Sequence, residues 1–281
     1  MRTYFDCIPC FIRQALDAVM FVTLNENICE SVIKEVLDVM SRMDLKKSPP
    51  VMGQYIHRMV RKFSGSLDPY KTVKDRFNKY ALQLYPALNE IIEKSSNKLD
   101  TATRLAIAGN VIDFGANNDV DQAVVDKTIA LSLSSHIIGN MEHFLKALDS
   151  AENILYIGDN AGEIVFDKLL IEQLPADKIT FAVRGKPVIN DATLDDAVAT
   201  GITELVEVID NGSDAPGTVL EECSEKFRRF FKDADLIIAK GQGNFETLSG
   251  VDKNIFYLLK VKCPVIARHI GCDIGEFIVN N

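Results

Sequence analysis

From residue 151 onward, short β-rich segments alternate with segments of helical periodicity, and this alternation constrains the fold more than any other feature. The β-rich segments cover residues 153–157, 179–183, 204–209, 235–239 and 264–268. Strands that alternate with helices form mostly parallel sheets, because each helix returns the chain across the sheet in a right-handed crossover. We therefore predict an α/β protein in which residues 149–281 form a three-layer α/β/α, Rossmann-like domain.

The N-terminal part of the chain shows a different pattern. Between residues 5 and 148, apolar residues recur every three or four positions, as they do from Phe5 through Phe11 to Val19. The pattern breaks at residues 48–50, 64–66, 95–97 and 116–118, where Ser, Pro, Gly or Asn are frequent. Residues 1–148 are therefore predicted to form an all-helical domain that precedes the sheet.

Three of the predicted strands run into loops that carry acidic, amide, lysine and glycine residues. Asp159 and Asn160 follow the first strand, Asp191 lies beyond the second, and Lys240 follows the strand at 235–239. In open α/β sheets, ligands bind outside the carboxyl ends of the strands, where such loops lie. Asn160 and Glu163 also have the spacing of a capping box, so the first loop alone is compatible with an ordinary strand–turn–helix junction.

These loops carry an ordered set of motifs. They are Asp-Asn-Ala-Gly-Glu at 159–163, Arg-Gly-Lys-Pro at 184–187 with Asn-Asp at 190–191, and Lys-Gly-Gln-Gly-Asn-Phe-Glu at 240–246. Further motifs upstream are Cys-x-x-Cys at 7–10, Asp-Pro-Tyr at 68–70 with Lys74, and residues 108–115. This ordered set resembles the metal-dependent damage-control phosphatases. The resemblance spans nearly the whole chain, and the early Cys-x-x-Cys and the length resemble the small stand-alone archaeal and bacterial branch. It implies phosphatase activity toward sugar phosphates and related phosphorylated metabolites.

Asp159, Asn160 and Asp191 are the predicted ligands of a divalent metal, as the resemblance also implies. Two carboxylates and an amide carbonyl form an all-oxygen set that suits Mg²⁺ or Mn²⁺ better than zinc. Co²⁺ or Ni²⁺ can occupy the same ligands, because affinity rises along that series for most ligand sets.

Lys240 is the predicted phosphate ligand, because it follows a strand and precedes glycines that let backbone N–H groups approach an anion. Together with Asp159 and Glu163 it makes up the predicted catalytic set. The predicted substrate-binding residues are Asn110, Asp113, Arg184, Lys186, Gly241, Gly243 and Asn244. Asn110 and Asp113 lie three positions apart on a helix predicted over residues 101–114, so both can face one cleft.

The predicted reaction is metal-assisted hydrolysis of a phosphomonoester. The sequence leaves open whether Asp159 or a water molecule attacks phosphorus. Two other functions are kept as alternatives: an S-adenosylmethionine-dependent carboxyl methyltransferase, and a non-catalytic metal- or nucleotide-binding module. The glycine-rich adenosine loop that a methyltransferase needs is poorly matched by residues 158–162.

Cys7 and Cys10 lie near a predicted helix start, and three interpretations stay open: a redox pair, a metal shared with another cysteine, or two small hydrophobic residues. A second close cysteine pair, which a four-cysteine zinc site needs, is absent from the sequence. The four histidines at positions 57, 136, 143 and 269 are predicted to be surface or core residues, although His57 could reach the cleft.

Composition narrows the class of partner. The formal net charge is −9, with a small positive excess in residues 1–100 and a larger negative excess in the rest. A negative catalytic half disfavours nucleic acid but not a small phosphorylated metabolite, since a cation and nearby lysines reset the local field. Apolar runs are shorter than the roughly 20 residues of a membrane helix, and residues 1–6 lack a signal-peptide pattern. We therefore expect a cytoplasmic enzyme without a membrane partner.

Overall fold

The computed structural model describes residues 1–110 and 122–281. Its helices are α1 (Cys7–Val22), α2 (Glu26–Met40), α3 (Pro49–Ser64), α4 (Lys71–Glu93), α5 (Lys98–Gly109), α6 (Gln122–Ser134), α7 (Met141–Ser150), α8 (Glu163–Ile171), α9 (Leu194–Ala199), α10 (Glu225–Asp233), α11 (Gly241–Leu248) and α12 (Pro264–Ile270). Its strands are β1 (Ile137–Gly139), β2 (Ile154–Ile157), β3 (Ile179–Val183), β4 (Glu207–Asp210), β5 (Leu236–Lys240), β6 (Ile255–Lys260) and β7 (Phe277–Asn280). The predicted mixed α/β class is confirmed.

The described strands form one sheet in the order β1-β7-β6-β5-β2-β3-β4. Every neighbouring pair is parallel except β6 and β7, which are antiparallel. From β2 the chain proceeds outward through β3 and β4, whereas β5 returns to the opposite side of β2. The strand order therefore reverses between β2 and β5, and ligands of open α/β sheets bind at such a point.

Helices cover both faces of the sheet. Successive side chains of a strand point to opposite faces, and in β2 both sets of side chains are apolar and buried. Ile154 and Tyr156 of β2 pack with α4, α5, α7 and α8, whereas Leu155 and Ile157 pack with α10, α11 and α12. The three-layer prediction is therefore confirmed. A further core around Phe11 joins α1, α2 and α3.

The range predicted to be all-helical contributes directly to the sheet layers. Helices α4 and α5 belong to one of the two sheet cores, and β1 adds an edge strand beside β7. The domain division at residue 148 stays a prediction. None of the helices in the described ranges is long and apolar enough to cross a membrane.

The predicted strand at 264–268 is wrong, because these residues form α12. Pro264 occupies the first turn of the helix, where its missing N–H costs nothing, and Gly271 ends it with a left-handed backbone at φ +82°. Strands β1, β6 and β7 were not predicted. The strands predicted at 153–157, 179–183, 204–209 and 235–239 correspond to β2, β3, β4 and β5 with shifted ends.

Candidate functional site

The loops after β2 and β3 are joined by backbone hydrogen bonds at the carboxyl edge of the sheet. Ala161 N–H donates to Asn190 O at 2.8 Å, and Ala192 N–H donates to Asp159 O at 2.8 Å. Asn160 and Asp191 pair across this junction in an isolated antiparallel bridge. The predicted ligands Asp159, Asn160 and Asp191 are thus brought together, and all three line the same cavity.

The approach to Asp191 is a strained turn. Ile189 has a φ of +45°, in the left-handed region that a β-branched residue rarely adopts. Asp191 N–H donates to Val188 O at 3.0 Å, so the turn closes around Ile189. Strain of this kind persists only where the surrounding structure determines the conformation, and it is concentrated at functional sites.

Arg184 links the two predicted carboxylate ligands. Its side chain is 1% exposed, its Nε donates to Asp191 Oδ2 at 2.6 Å, and its Nη2 donates to Asp159 Oδ1 at 3.4 Å. Its Nη1 donates to Asn244 Oδ1 at 3.3 Å. Arg184 and Asn244 therefore hold the predicted ligands through hydrogen bonds, and neither residue lines the cavity. Lys186, a further predicted substrate ligand, is exposed and lies outside the cavity lining.

Gly241 and Gly243 are required by close packing. Gly241 has a φ of +77°, and a Cβ there would lie 1.9 Å from Asp159 Oδ2. A Cβ at Gly243 would lie 2.2 Å from the carbonyl oxygen of Pro216. The glycine at 241 therefore lets β5 end directly against the predicted metal ligand.

Lys240 occupies a different position from the one expected of a phosphate ligand. Its side chain is fully buried, and its Nζ donates to Glu163 Oε1 at 2.7 Å, Asp167 Oδ1 at 2.5 Å and Ala106 O at 2.8 Å. Burial lowers the pKa of Lys240, but the two carboxylates outweigh burial and hold that pKa above its ordinary value. All three ammonium donors are used inside the protein, so a direct phosphate contact would require one of them to be given up.

Glu163 connects this buried lysine to the predicted metal ligands. Its Oε2 accepts from Asn160 Nδ2 at 3.0 Å and from Asn110 Nδ2 at 3.1 Å. Because both amide nitrogens point toward Glu163, their Oδ1 atoms are directed elsewhere. Asn110 Oδ1 is buried and has no hydrogen-bond partner in the described structure. Asp113, predicted to act beside Asn110, lies outside the described residues.

The carboxylate and amide oxygens fit a hard divalent cation. Burial raises the pKa of Asp159 well above its usual range, and the charges of Glu163 and Asp191 add to this effect. A cation between Asp159 and Asp191 would offset that repulsion, and Asn160 would supply the amide oxygen. Within the described ranges, no three His, Cys, Asp or Glu side chains are arranged to hold a metal, so this fit depends on the amide oxygen of Asn160 as the third ligand.

The cavity above these residues has a volume of about 810 Å³. Asn110, Asp159 and Asp191 line it together with residues of α1, α3 and the start of α4. Lys262 also lines it, and its charge opposes the rise in the pKa of Asp159. Sequence reasoning missed Lys262 because it missed β6, after which this lysine follows at the same edge of the sheet.

The cysteine pair lies on α1, a helix that contributes to the lining of this cavity. Cys7 is buried in the core of α1, α2 and α3, and Cys10 lines the cavity wall. Both are free thiols, and burial raises the pKa of each above its ordinary value. A raised pKa disfavours the thiolate, which is the reactive form.

A family model places the chain among known proteins. The model described as the damage-control phosphatase ARMT1-like domain matches residues 3–278. The chain belongs to this family. Members of the damage-control phosphatase family that resemble it include a damage-control phosphatase of Archaeoglobus fulgidus, which is 34% identical over 97% of this chain and 96% of that protein. The uncharacterised protein MJ0202 of Methanocaldococcus jannaschii is 42% identical over 98% of this chain and 93% of its own length.

A solved structure of the family has the same fold. The crystal structure of a DUF89 family protein, PH1575 of Pyrococcus horikoshii, matches with a TM-score of 0.88 at 31% identity, and the match covers 100% of this chain and 99% of that one. In sequence, this damage-control phosphatase is 34% identical over 99% of the present chain and 97% of its own length.

Proposed function

We propose that the protein is a metal-dependent phosphatase that hydrolyses phosphomonoesters of small metabolites. One observation carries this proposal: Asp159, Asn160 and Asp191 come together where the strand order reverses, and all three line a cavity of about 810 Å³. Membership of the damage-control phosphatase family supports the same activity.

Asp159, Asn160 and Asp191 are the residues we expect to hold the cation. A bound divalent ion would supply Lewis-acid polarisation of a phosphoryl oxygen and neutralise charge in the transition state. Uncatalysed hydrolysis of phosphomonoesters is extremely slow, so electrostatic preorganisation has a large barrier to lower. Mg²⁺, Mn²⁺, Co²⁺ and Ni²⁺ all suit this oxygen-rich ligand set.

The surrounding residues hold these ligands in place. Lys240 fixes Glu163, and Glu163 in turn orients the side-chain amides of Asn110 and Asn160. We therefore assign Lys240 and Glu163 as positioning residues. Lys262, which lines the cavity beside the ligands, is the cation that we expect to contact the substrate phosphate.

The test uses protein freed of metal with a chelator and then supplied with each of the four cations. We expect turnover of p-nitrophenyl phosphate only after cation addition, and loss of at least a hundredfold in kcat/KM for Asp159→Asn and Asp191→Asn. The exposed Asp195, changed in the same way to Asn, is the matched control.

Calorimetric titration with Mn²⁺ separates ligand loss from misfolding. The two ligand variants should lose Mn²⁺ affinity while their circular dichroism stays native. Undiminished turnover and Mn²⁺ affinity in both variants would rule out this metal site.

A further inference from the structure

The two loops that carry the predicted metal ligands share one hydrogen-bond pattern. In the first loop, the N–H one position after Asn160 donates to Asn190 O at 2.8 Å. In the second loop, the N–H one position after Asp191 donates to Asp159 O, also at 2.8 Å. The next N–H along each loop is bound by a side chain instead. Part of what holds each loop can therefore be changed without changing the loop itself.

The two side chains that bind these N–H groups also bind each other. Asn78 Oδ1 accepts from Gly162 N–H at 2.7 Å. Asp196 Oδ2 accepts from Thr193 N–H at 2.8 Å, as part of the capping box of α9. Asn78 Nδ2 donates to Asp196 Oδ1 at 2.9 Å. The Asn78–Asp196 pair thus closes a ring of hydrogen bonds that runs from one ligand loop to the other.

Four donors surround the Asp196 carboxylate. Besides Asn78 Nδ2 and Thr193 N–H, its Oδ2 accepts from Lys74 Nζ at 3.0 Å and from Thr193 Oγ1 at 2.8 Å. An ionised carboxylate only accepts, so it satisfies all four donors together. Lys74 also pairs with Asp68 at 2.9 Å, and neither of these two residues lines the cavity. Asp68 and Lys74 of the upstream motif therefore hold Asp196 in place.

Helix α4 brings the pair to the ligand loops. Lys74 and Asn78 are four residues apart, so they lie on one face of this helix, and both are buried. The helix packs against α8 and α9, each of which begins at the end of one ligand loop. Phe77 of the same helix lines the cavity. A helix that contributes to the cavity lining therefore also holds both loops.

We propose that Asn78 and Asp196 are positioning residues that set the separation of the two metal-ligand loops. Their mutual hydrogen bond fixes two backbone N–H groups, each of which lies two positions beyond a predicted ligand. This proposal rests on the proposed metal site and adds to it two residues that act from outside the ligand set.

Exchange of the amide and the carboxylate tests the pair directly. In Asp196→Asn, two amide N–H₂ groups face each other across the 2.9 Å contact, and in Asn78→Asp two carboxylate oxygens do so. In the double variant the bond forms again with its direction reversed, because the new amide donates to the new carboxylate. The other oxygen at each position still accepts from its loop N–H. Only the single variants therefore lose the ring.

Calorimetric titration with Mn²⁺ measures the result. Changes to groups outside the ligand set weaken metal binding about 10–100-fold, and we expect Asp196→Asn and Asn78→Asp each to do so. The double variant should return to within about threefold of the wild type. The control Asp235→Asn carries the same substitution at the amino end of β5, where Asp235 accepts from two backbone N–H groups at 3.1 Å. It should bind Mn²⁺ as the wild type does.

The choice of cation separates positioning from lost stability. Mg²⁺ demands near-ideal octahedral geometry, whereas Ca²⁺ tolerates irregular coordination. Loosely held loops should therefore cost Mg²⁺ more than Ca²⁺, so the ratio of their affinities, measured in competition with Mn²⁺, should fall several-fold in both single variants. A variant that is merely less stable loses affinity for both cations equally, through its folded fraction. Circular dichroism at the temperature of the titration measures that fraction.

The outcomes distinguish this proposal from the metal site on which it rests. Mn²⁺ affinity within about twofold of the wild type in both folded single variants would overturn the positioning role. A folded double variant that binds as weakly as the single variants would overturn it as well. Asn78→Ala, which introduces no facing charge, replaces Asn78→Asp if that variant does not fold. A wild type that binds no cation would contradict the metal site itself.

Discussion

Replacement of Lys240 by methionine tests whether this lysine supports the site or binds phosphate. Methionine keeps an unbranched chain of similar length but removes the ammonium that Glu163, Asp167 and the Ala106 carbonyl accept from. The two carboxylates would then stay buried without their counter-charge. Asp167 Oδ2 already has no hydrogen-bond partner in the described structure, so little compensation is at hand.

The loss of stability in Lys240→Met follows from the complete burial of the Lys240 ammonium. Breaking a fully buried ion pair by removing one partner destabilises a protein by about 3–5 kcal/mol. For a chain of this size, each kcal/mol shifts the melting temperature by about 2–4 °C. We therefore expect Lys240→Met to melt on the order of 10 °C below the wild type at pH 8.

The loss should shrink at lower pH. Burial raises the pKa of Asp167 to about 6, even though the charge of Lys240 opposes this rise, and the pKa should climb further without the lysine. A carboxyl group whose pKa is higher in the folded state contributes stability at low pH and loses it as pH rises through the folded-state value. The deficit of Lys240→Met should therefore be smaller at pH 5 than at pH 8.

Thermal unfolding followed by circular dichroism at pH 5, 6, 7 and 8 measures both effects. Lys226→Met is the matched control, because Lys226 pairs with Glu207 at 3.8 Å on the surface, where such pairs contribute about 0–1 kcal/mol. If Lys240→Met melts within about 2 °C of the wild type and only its KM for a phosphate ester rises, Lys240 binds phosphate and the supporting role is refuted.

Three further predictions concern the loops and the buried imidazole. Gly241→Ala would place a Cβ 1.9 Å from Asp159 Oδ2, so calorimetry should show at least a tenfold loss of Mn²⁺ affinity, whereas Gly250→Ala, which meets no atom within 4 Å, should not. Asn78→Ala removes the Oδ1 that accepts a hydrogen bond from the buried Gly162 N–H at 2.7 Å, just before α8. Urea unfolding should therefore show a loss of about 1–3 kcal/mol in the free energy of unfolding. His57 has its pKa lowered to about 3 by burial and by Arg61, so the wild type should lose stability as pH falls below about 6.5. His57→Gln should lose less between pH 6.5 and 4, and equal slopes in urea titrations would contradict a buried neutral imidazole.

The sheet edge was predictable because of one rule about parallel strands. Strands β2, β3 and β5 are short buried runs of apolar residues, and the polar residues that follow them must meet at the carboxyl edge. That rule alone brings Asp159 and Asp191 together. The assignment of a strand at residues 264–268 was wrong for a different reason. Val265 and Ile266 suit a buried helix as well as a strand, and only Pro264 marks the start of the helix.

The role of Lys240 could not be read from local sequence. A lysine between a strand and a glycine has the same local appearance whether it faces a ligand or an internal acid. Its partners Glu163 and Asp167 lie 77 and 73 residues away, and their burial follows only from the packing of α8 on α5. The sequence shows that these two acids are four residues apart and so lie on the same helix face, but two acids on one helix face are ordinarily exposed to solvent.

The composition of the cavity walls also bears on when the site forms during folding. Its walls include Cys10 near one end of the chain and Lys262 near the other, with Asp159 between them. Contacts between residues so far apart in sequence form late, because the loops that join them must be closed first. We expect helical signal to recover before activity when the denatured chain is diluted into buffer. A chain still leaving the ribosome would therefore have no working site until the residues around Lys262 have emerged and packed against Asp159 and Cys10.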